Sequence, residues 1–576
     1  MNSHNEKTPV QRFIDLLRLD RKDIYFIFIY AIASGLITLT LPLGIQAIIG
    51  LIAGGNISSS WGVLIFIVTA GTAFTGVLKV MQLSVTETLQ RRIFVRSSFD
   101  FADRLPKLPI DSTNRIHLPE LANRFFDTLS IQKGLPKILT DVFEALLQIL
   151  FGLLLIALYH PFFIFFGFIL IFILYIIFKL TAPVGLATSL KESKYKYAVA
   201  HWLEELARTM TTFKLSGDSP LPLQKTDMLV SGYLDSRKKH FKILLWQFGS
   251  MIVFKVIITA SLLVLGSILV IDNQINLGQF IASEIVIIMV MGSVEKLIMS
   301  METVYDVLTA LEKTGHVSDM PMEREDGLDF SKCFKDDKGI ELTLQDVGFK
   351  FEDSDRATLS NINLHASSGE KICIAGHNAS GRSTLIQIIA CLLKKNTGIV
   401  NYNGMPRASL ELKSLRKAVG DYSEGEDIFS GTILENISLG LENIDIQDVI
   451  NAAKAIGVHQ TINVLPEGYN TKLMPSGRNI SASLTTKIIL TRCIVAKPRL
   501  LALEDFTQKI EREDRQHIID FLTSQKQNWT MIAVSNDVYT AQKCDRVIIM
   551  DNGQIIADGT FDEIKNMDIA KKIFEK

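Results

Sequence analysis

Six stretches of this chain, each roughly 20 residues or longer and nearly free of charge, constrain its fold more than any other feature. They cover residues 24–52, 61–83, 139–159, 162–180, 243–271 and 277–298. In hydrocarbon an unpaired backbone N–H or C=O costs several kcal/mol, so segments of this length and character are read as membrane helices. Hydrophobic residues make up 48% of the chain and mean hydropathy is +0.26, with the apolar residues concentrated before Met301. Only His160 and Pro161 separate the third and fourth stretches, which predicts a tight helical hairpin.

Loop charge sets the orientation. The lead-in carries Arg12, Arg18, Arg21 and Lys22, and Lys and Arg also crowd the connections from stretch two to three and from four to five. The intervening GGNISSS, HP and DNQIN contain neither Lys nor Arg. Both termini are therefore expected on the cytoplasmic side of a cell (inner) membrane. The two basic connections run to about fifty residues or more, far beyond an ordinary loop. They keep apolar residues at helical spacing, as in YAVAHWLEELARTMTTF, so the membrane helices are expected to continue into the cytoplasm. The N-terminus lacks the short apolar core and cleavage site of a signal peptide and reads as an amphipathic cytoplasmic helix. Glu144, Lys255, Glu284 and Glu295 lie in or near the spans. Each has two readings: a paired or pathway-facing charge, or a solvated one at the cytoplasmic boundary. Lys255 and Glu284 are candidates to pair across adjacent helices.

After Met301 the composition changes. A polar, acidic stretch with Pro321 gives way to strand and helix alternation, and the domain reading is 1–22 lead-in helix, 23–312 membrane domain, 313–338 linker and 339–576 soluble α/β domain. IELTLQDVGFKF alternates as an edge strand pair would, and VIIMDNGQIIADGT predicts a hairpin on Asn552-Gly553. The five cysteines all lie in this half at spacings that suit neither zinc nor a disulfide framework, so they read as idle thiols in a reducing compartment. The formal net charge of −1 gives no global basic bias toward nucleic acid.

Within the soluble half, KICIAGHNASGRSTLIQIIACLL reads as strand, phosphate-binding loop and helix. Gly376, Gly381, Arg382 and Ser383 match the P-loop pattern G-x-x-x-x-G-K-[ST] with arginine in place of lysine. Taken in order, the six spans, IELTLQDVGFKF, this loop, DIFSGTILENISLG, NISASLTTKIILTRCIVAKPRLLALED and IAVSNDVYTAQKCDRVIIMDNGQIIADGT resemble an ATP-binding cassette (ABC) exporter half-transporter over nearly the whole chain. The resemblance implies a six-span helical membrane domain of the type I exporter class fused to a P-loop NTPase-like α/β cassette. LPLGIQAIIGLI and GSILVIDNQINLGQF are similar to the bacterial branch that includes peptide and type I protein secretion. No N-terminal peptidase domain is expected, since about twenty residues precede the first span.

The resemblance also assigns residues. Phe351 matches the aromatic on which adenine stacks, and Gly376, Asn378, Ala379, Ser380, Gly381, Arg382, Ser383 and Thr384 form the loop that holds phosphates. Ser383 and Glu504 are the implied magnesium ligands, and Asp505 stands where a glutamate polarises the attacking water. Asn536 occupies the switch-histidine position, Glu424 the coupling-glutamine position, and Ser481 is what remains of the Leu-Ser-Gly-Gly-Gln signature, here Ile480-Ser481-Ala482-Ser483-Leu484. Ala379 adds a methyl where the family has glycine, which opposes a left-handed backbone. Asparagine cannot carry the proton or charge of histidine. The Glu504-Asp505 order inverts the family's Asp-Glu, and a displacement on the order of 1 Å costs about 10²-fold in rate.

Two readings of the loop stand side by side: residual phosphate affinity through backbone donors, and a strand-to-helix turn without ligand. The set of changes implies an ABC-type ATPase fold with its catalytic positions altered, a pseudo-ATPase cassette in an exporter subunit for a peptide or amphipathic substrate. A conventional ATP-driven exporter and a non-transporting scaffold or regulatory subunit are the alternatives. The implied cofactors are ATP and Mg²⁺. The implied partners are a second half-transporter, as homodimer or heterodimer, and on the secretion branch a periplasmic adaptor.

Overall fold

The computed structural model describes residues 7–54, 59–113, 118–352, 354–423 and 428–574. They form two units: residues 1–108 with 115–321, and residues 109–114 with 322–576.

The first unit is helical and holds six candidate spans: Arg21–Ala53, Ser59–Lys107, Pro119–Ala157, Pro161–Arg208, Leu221–Ile271 and Leu277–Ser318. The fifth is one helix of 51 residues, about 76 Å at 1.5 Å per residue, against a hydrocarbon core of about 30 Å. The long basic connections are thus helix continuations, as their apolar spacing predicts.

The first span is not one continuous helix. It breaks at Leu39, between Arg21–Thr38 and Thr40–Ala53. Pro42 has no N–H to offer the carbonyl four residues earlier, which is that of Thr38. Hydroxyls take up nearby carbonyls, Thr38 donating to Ser34 O (2.8 Å) and Thr40 to Ile37 O (2.7 Å). The third span also differs from its sequence reading, because a π-helical turn at Ile138–Val142 precedes the regular helix Phe143–Ala157. The hairpin is as expected: His160 caps the fourth helix, its Nδ1 accepting the N–H of Phe162 at 3.2 Å, with Pro161 in the first turn.

Of the four charged membrane residues, Glu144, Lys255 and Glu295 are paired, whereas the buried Oε1 of Glu284 has no hydrogen-bond partner among the described residues. Glu144 is buried and accepts from Lys296 (2.8 Å) and Lys79 (3.2 Å), and Lys296 also reaches Asp141 (3.1 Å). Lys255 pairs with Glu295 at 3.1 Å, not with Glu284. Eleven residues of helix, about 16 Å, separate the two glutamates, so one lysine reaches one of them. Gln247 is fully buried and donates to Thr181 (2.6 Å) and Tyr305 (3.0 Å), tying the fourth, fifth and sixth spans together. Tyr305 fits there because residue 185 is glycine; a Cβ at that position would lie 2.5 Å from the Tyr305 ring.

The second unit contains two larger sheets. One is antiparallel with order β2-β1-β4-β5, from β1 (Leu342–Phe349), β2 (Leu359–Ala366), β4 (Thr397–Tyr402) and β5 (Met405–Pro406). The other has order β12-β11-β3-β10-β9-β6, from β3 (Lys371–Gly376), β6 (Val419–Tyr422), β9 (Leu500–Glu504), β10 (Thr530–Val534), β11 (Arg546–Asp551) and β12 (Gln554–Gly559). Strands β7 (Gly431–Thr432) and β8 (Lys472–Leu473) form a small ribbon.

IELTLQDVGFKF is a single interior strand, correcting the edge-pair expectation. It pairs antiparallel with β2 on one side and β4 on the other, and an irregularity near Asp346 (φ 49°) breaks its alternation. The Asn552-Gly553 hairpin forms as read, with Asp551 opposite Gln554 and both turn residues at positive φ (47° and 77°), as a two-residue turn requires. β3, β9 and β10 are buried along their whole length, so they read as continuous apolar runs with no alternation. The short helix Ile110–Thr113 belongs to this unit: Ile110 packs against its core, and Asp111 accepts the N–H of Lys394 at 3.2 Å. Of the five cysteines, all free, four are buried and Cys333 is exposed.

Candidate functional site

β3, β10, β9 and β6 are parallel neighbours, so the loops leaving their C-terminal ends converge on one edge of the sheet. Loops at such strand ends are where ligands bind in open α/β sheets. The phosphate loop leaves β3. Asn536 follows β10, and Glu504-Asp505 closes β9. Because β10 lies between β3 and β9, with Val534 opposite both Ile374 and Glu504, Asn536 stands between the loop and the carboxylates. Glu424, which follows β6, lies outside the described residues.

The loop has the P-loop form despite its altered residues. Gly381 caps the helix Arg382–Ile389 at φ 92°, and a Cβ there would meet Leu359 at 2.7 Å and Thr358 O at 2.8 Å. Ala379 is forced to φ 63°, a left-handed conformation that costs an L-residue about 1–2 kcal/mol. The backbone keeps the left-handed turn at this position although alanine opposes it. His377, Asn378 and Ala379 are exposed at the mouth, as is Ser383 in the first turn of the helix, whereas Thr384 is buried. Ser380 is 3% exposed, and its Oγ has no hydrogen-bond partner among the described residues. Its backbone is tied down, with N–H to His377 O (3.2 Å) and C=O accepting from Gly553 (3.1 Å).

Arg382 does not point out of the loop. Its side chain is buried, and Nη1 donates to Asn536 Oδ1 at 2.8 Å. The same oxygen accepts the N–H of Gly376 at 3.1 Å, and Asn536 Nδ2 returns a bond to Gly376 O at 3.1 Å. Two of the altered positions are therefore bonded to each other. This link escaped the sequence reading, although an added fork of donors and an added amide acceptor are chemically matched.

The carboxylates differ in setting. Glu504 ends β9 and is 3% exposed. Asp505 is half-buried at φ 46°, its N–H held by Val534 O at 2.8 Å. Aspartate tolerates this backbone region better than glutamate would, so residue type and conformation agree here. Phe351, just past β1, is half-buried and packs edge-on to Phe349, with centroids 4.8 Å apart at 89°.

The signature segment lies on the helix Ala482–Val495. Ser481 is its N-cap and accepts the N–H of Leu484 at 3.2 Å. Ser483 and Leu484 are turned inward, 8% and 7% exposed, and Ser483 donates to Glu511 Oε2 at 2.5 Å, which holds that carboxyl below its ordinary range. The N–H of Leu484 and the hydroxyl of Ser483 are thus engaged by their own chain.

The residues fit a phosphate group in part. The exposed first turn with Ser383, the partnerless Ser380 hydroxyl and the glycine-capped helix make a cradle. The cation that should complete it is turned toward Asn536. Across the described residues, no group of three or more His, Cys, Asp and Glu is placed to hold a metal, so Ser383 and Glu504 would depend on phosphate oxygens to complete a magnesium site.

Residues 359–508 match the family described as ABC transporter, and residues 24–294 match the ABC transporter transmembrane region. The chain belongs to the ABC transporters. It is of the exporter type, with membrane and cassette domains fused. Among curated relatives it is 28% identical over 63% of its length to the alpha-hemolysin translocation ATP-binding protein HlyB of Escherichia coli O157:H7, covering 51% of that protein. It is 30% identical over 44% of its length to the uncharacterized ABC transporter ATP-binding protein YfiB of Bacillus subtilis, covering 43% of it, and 28% identical over 63% to the leukotoxin export ATP-binding protein LtxB of Aggregatibacter actinomycetemcomitans, covering 51%. The chain thus spans about half the length of the curated relatives it matches. A solved structure of a bacterial Atm1-family ABC exporter with ATP bound shares its fold, with a TM-score of 0.84 at 18% identity over 96% of this chain and 98% of that one. The ABC family normally binds ATP with Mg²⁺, and its half-transporters usually dimerise.

Proposed function

We propose that this ABC chain is a half-transporter subunit that exports a peptide or amphipathic substrate across the inner membrane, with both termini cytoplasmic, and that its own cassette hydrolyses ATP weakly or not at all. The observation that carries the second part is the Arg382–Asn536 hydrogen bond. It binds the loop cation to the switch position, while Asp505 is a methylene shorter than the family's glutamate and Ser483 is bonded to Glu511. In this reading Phe351 stacks the adenine, Asn378 to Thr384 hold phosphates, Ser383 and Glu504 hold magnesium, and Ser481 meets the partner's nucleotide. ATP with magnesium, if bound, would supply negative charge and a metal at this cradle, with Ser383 and Glu504 the residues to hold the metal and Ser481 to face the partner's site. The substrate class is supported by the relatives named for hemolysin and leukotoxin export.

The second unit exposes its phosphate cradle, and family cassettes complete each site with the partner's signature, so a dimer is required. The chain extracted from its native membrane in lipid nanodiscs is expected to have the mass of two exporter chains, either two copies of its own 64.4 kDa or one with a second half-transporter. A single 64.4 kDa protomer with no second cassette chain would contradict the transporter reading and favour a regulatory subunit.

A further inference from the structure

We infer that Arg382 and Asn536 form a latch across the phosphate cradle, and that this latch sets how tightly nucleotide phosphate binds. The inference rests on the reading above that the loop retains phosphate affinity. Three bonds converge on one amide: Arg382 Nη1 to Oδ1 at 2.8 Å, Gly376 N–H to the same Oδ1 at 3.1 Å, and Nδ2 to Gly376 O at 3.1 Å. Asn536 is thereby fixed to the first residue of the loop and holds the guanidinium by a charge-assisted bond.

The geometry separates two jobs that one lysine would combine. Backbone N–H groups at the start of the helix face the exposed mouth and remain available to phosphate. The positive charge is held beneath them, 9% exposed. A phosphate that enters the cradle is therefore met by the backbone first and by Arg382 only after the bond to Asn536 is given up. A hydrogen bond to a charged group is among the stronger ones in a protein, so its release subtracts from affinity.

The test is calorimetric titration of the full chain in nanodiscs with MgATP and with MgADP. Asn536→Ala removes the acceptor, and nucleotide is expected to bind about tenfold tighter. Asn536→Asp replaces the amide with a carboxylate that pairs with Arg382, and binding is expected to weaken about tenfold. The tightening by Asn536→Ala is expected to vanish when Arg382→Ala is also present, because the two groups act as one unit. A merely structural asparagine would lose affinity on both substitutions. If the wild-type chain binds nucleotide and neither substitution moves its affinity, or both weaken it, the latch is overturned while the cradle stands. If no variant binds nucleotide, the cradle fails and the latch with it. Should Asn536→Ala lower thermal stability, Asn536→Leu, which fills the amide's volume without an acceptor, decides: the latch predicts tighter nucleotide binding, and weaker binding overturns it.

Discussion

Restoring the family residues in the cassette is expected to raise ATP turnover by at least ~10²-fold over the unmodified chain. The variant carries Ala379→Gly, Arg382→Lys, Glu424→Gln, Ala482→Gly, Ser483→Gly, Leu484→Gln, Glu504→Asp, Asp505→Glu and Asn536→His. Each change answers a specific feature. Glycine at 379 relieves the φ of 63°, and lysine at 382 no longer offers the fork that holds Asn536. Glycine at 483 removes the hydroxyl bonded to Glu511 and the Cβ beside it. The carboxylate exchange should carry the largest share, because a displacement on the order of 1 Å at the reacting centre costs about 10²-fold. The same variant without Glu504→Asp and Asp505→Glu is therefore expected to bind nucleotide well and to turn over little. Full activity in that partial variant would show that the inverted pair is not what limits hydrolysis. Phosphate release from MgATP in nanodiscs is the measurement.

The second large effect lies at the other end of the same strand. Lys371 begins β3, and its side chain is completely buried. Its ammonium donates to three backbone carbonyls, Trp529 O (2.6 Å), Gly369 O (2.9 Å) and Gln527 O (3.2 Å). Burial pushes this ammonium below its ordinary pKa, and the carbonyl cage is what makes the charge tolerable. Lys371→Ala strips the ammonium from the buried Trp529 carbonyl, a loss of about 1–3 kcal/mol, and from two part-buried carbonyls that water can partly satisfy, and it opens a cavity besides. A loss of about 3–5 kcal/mol of cassette stability is expected, measured by pulse proteolysis across a urea series. Lys371→Met refills the volume without the donors and should recover only part of that loss. A loss below ~1 kcal/mol for the alanine variant would mean that the cage is not a stabilising feature.

The contrast between these sites shows what the sequence carries openly. Hydropathy located all six spans, because lipid leaves a helix as the available solution for such segments. His160-Pro161, Asn552-Gly553 and the Gly376–Thr384 loop were legible because the residues that shape each turn are contiguous. Contacts between distant residues were not. Lys255 chose Glu295 over Glu284 through the register of two helices. The break at Leu39 follows from Pro42, yet proline in a membrane helix is often absorbed without one, as Pro183 is inside Pro161–Arg208. An alternating run placed IELTLQDVGFKF at an edge, but its second neighbour β4 arrives from residues fifty positions later and covers it. The altered catalytic residues could each be named from their motifs. That two of them are bonded to each other depends on the fold that brings residues 376, 382 and 536 to one strand edge, and a second pair, Ser483 and Glu511, depends on packing between helices.

The central claim is that this cassette keeps a phosphate cradle while its hydrolytic positions are disarmed. It is tested most directly by the ATP turnover number of the purified full-length chain in nanodiscs, measured beside its Asp505→Ala variant and with MgATP binding recorded on the same samples. The account predicts bound nucleotide with turnover below ~0.01 s⁻¹, unchanged by Asp505→Ala, about 10² below the low end of ordinary enzymes. Turnover of ~1 s⁻¹ or more that is lost on Asp505→Ala would contradict it.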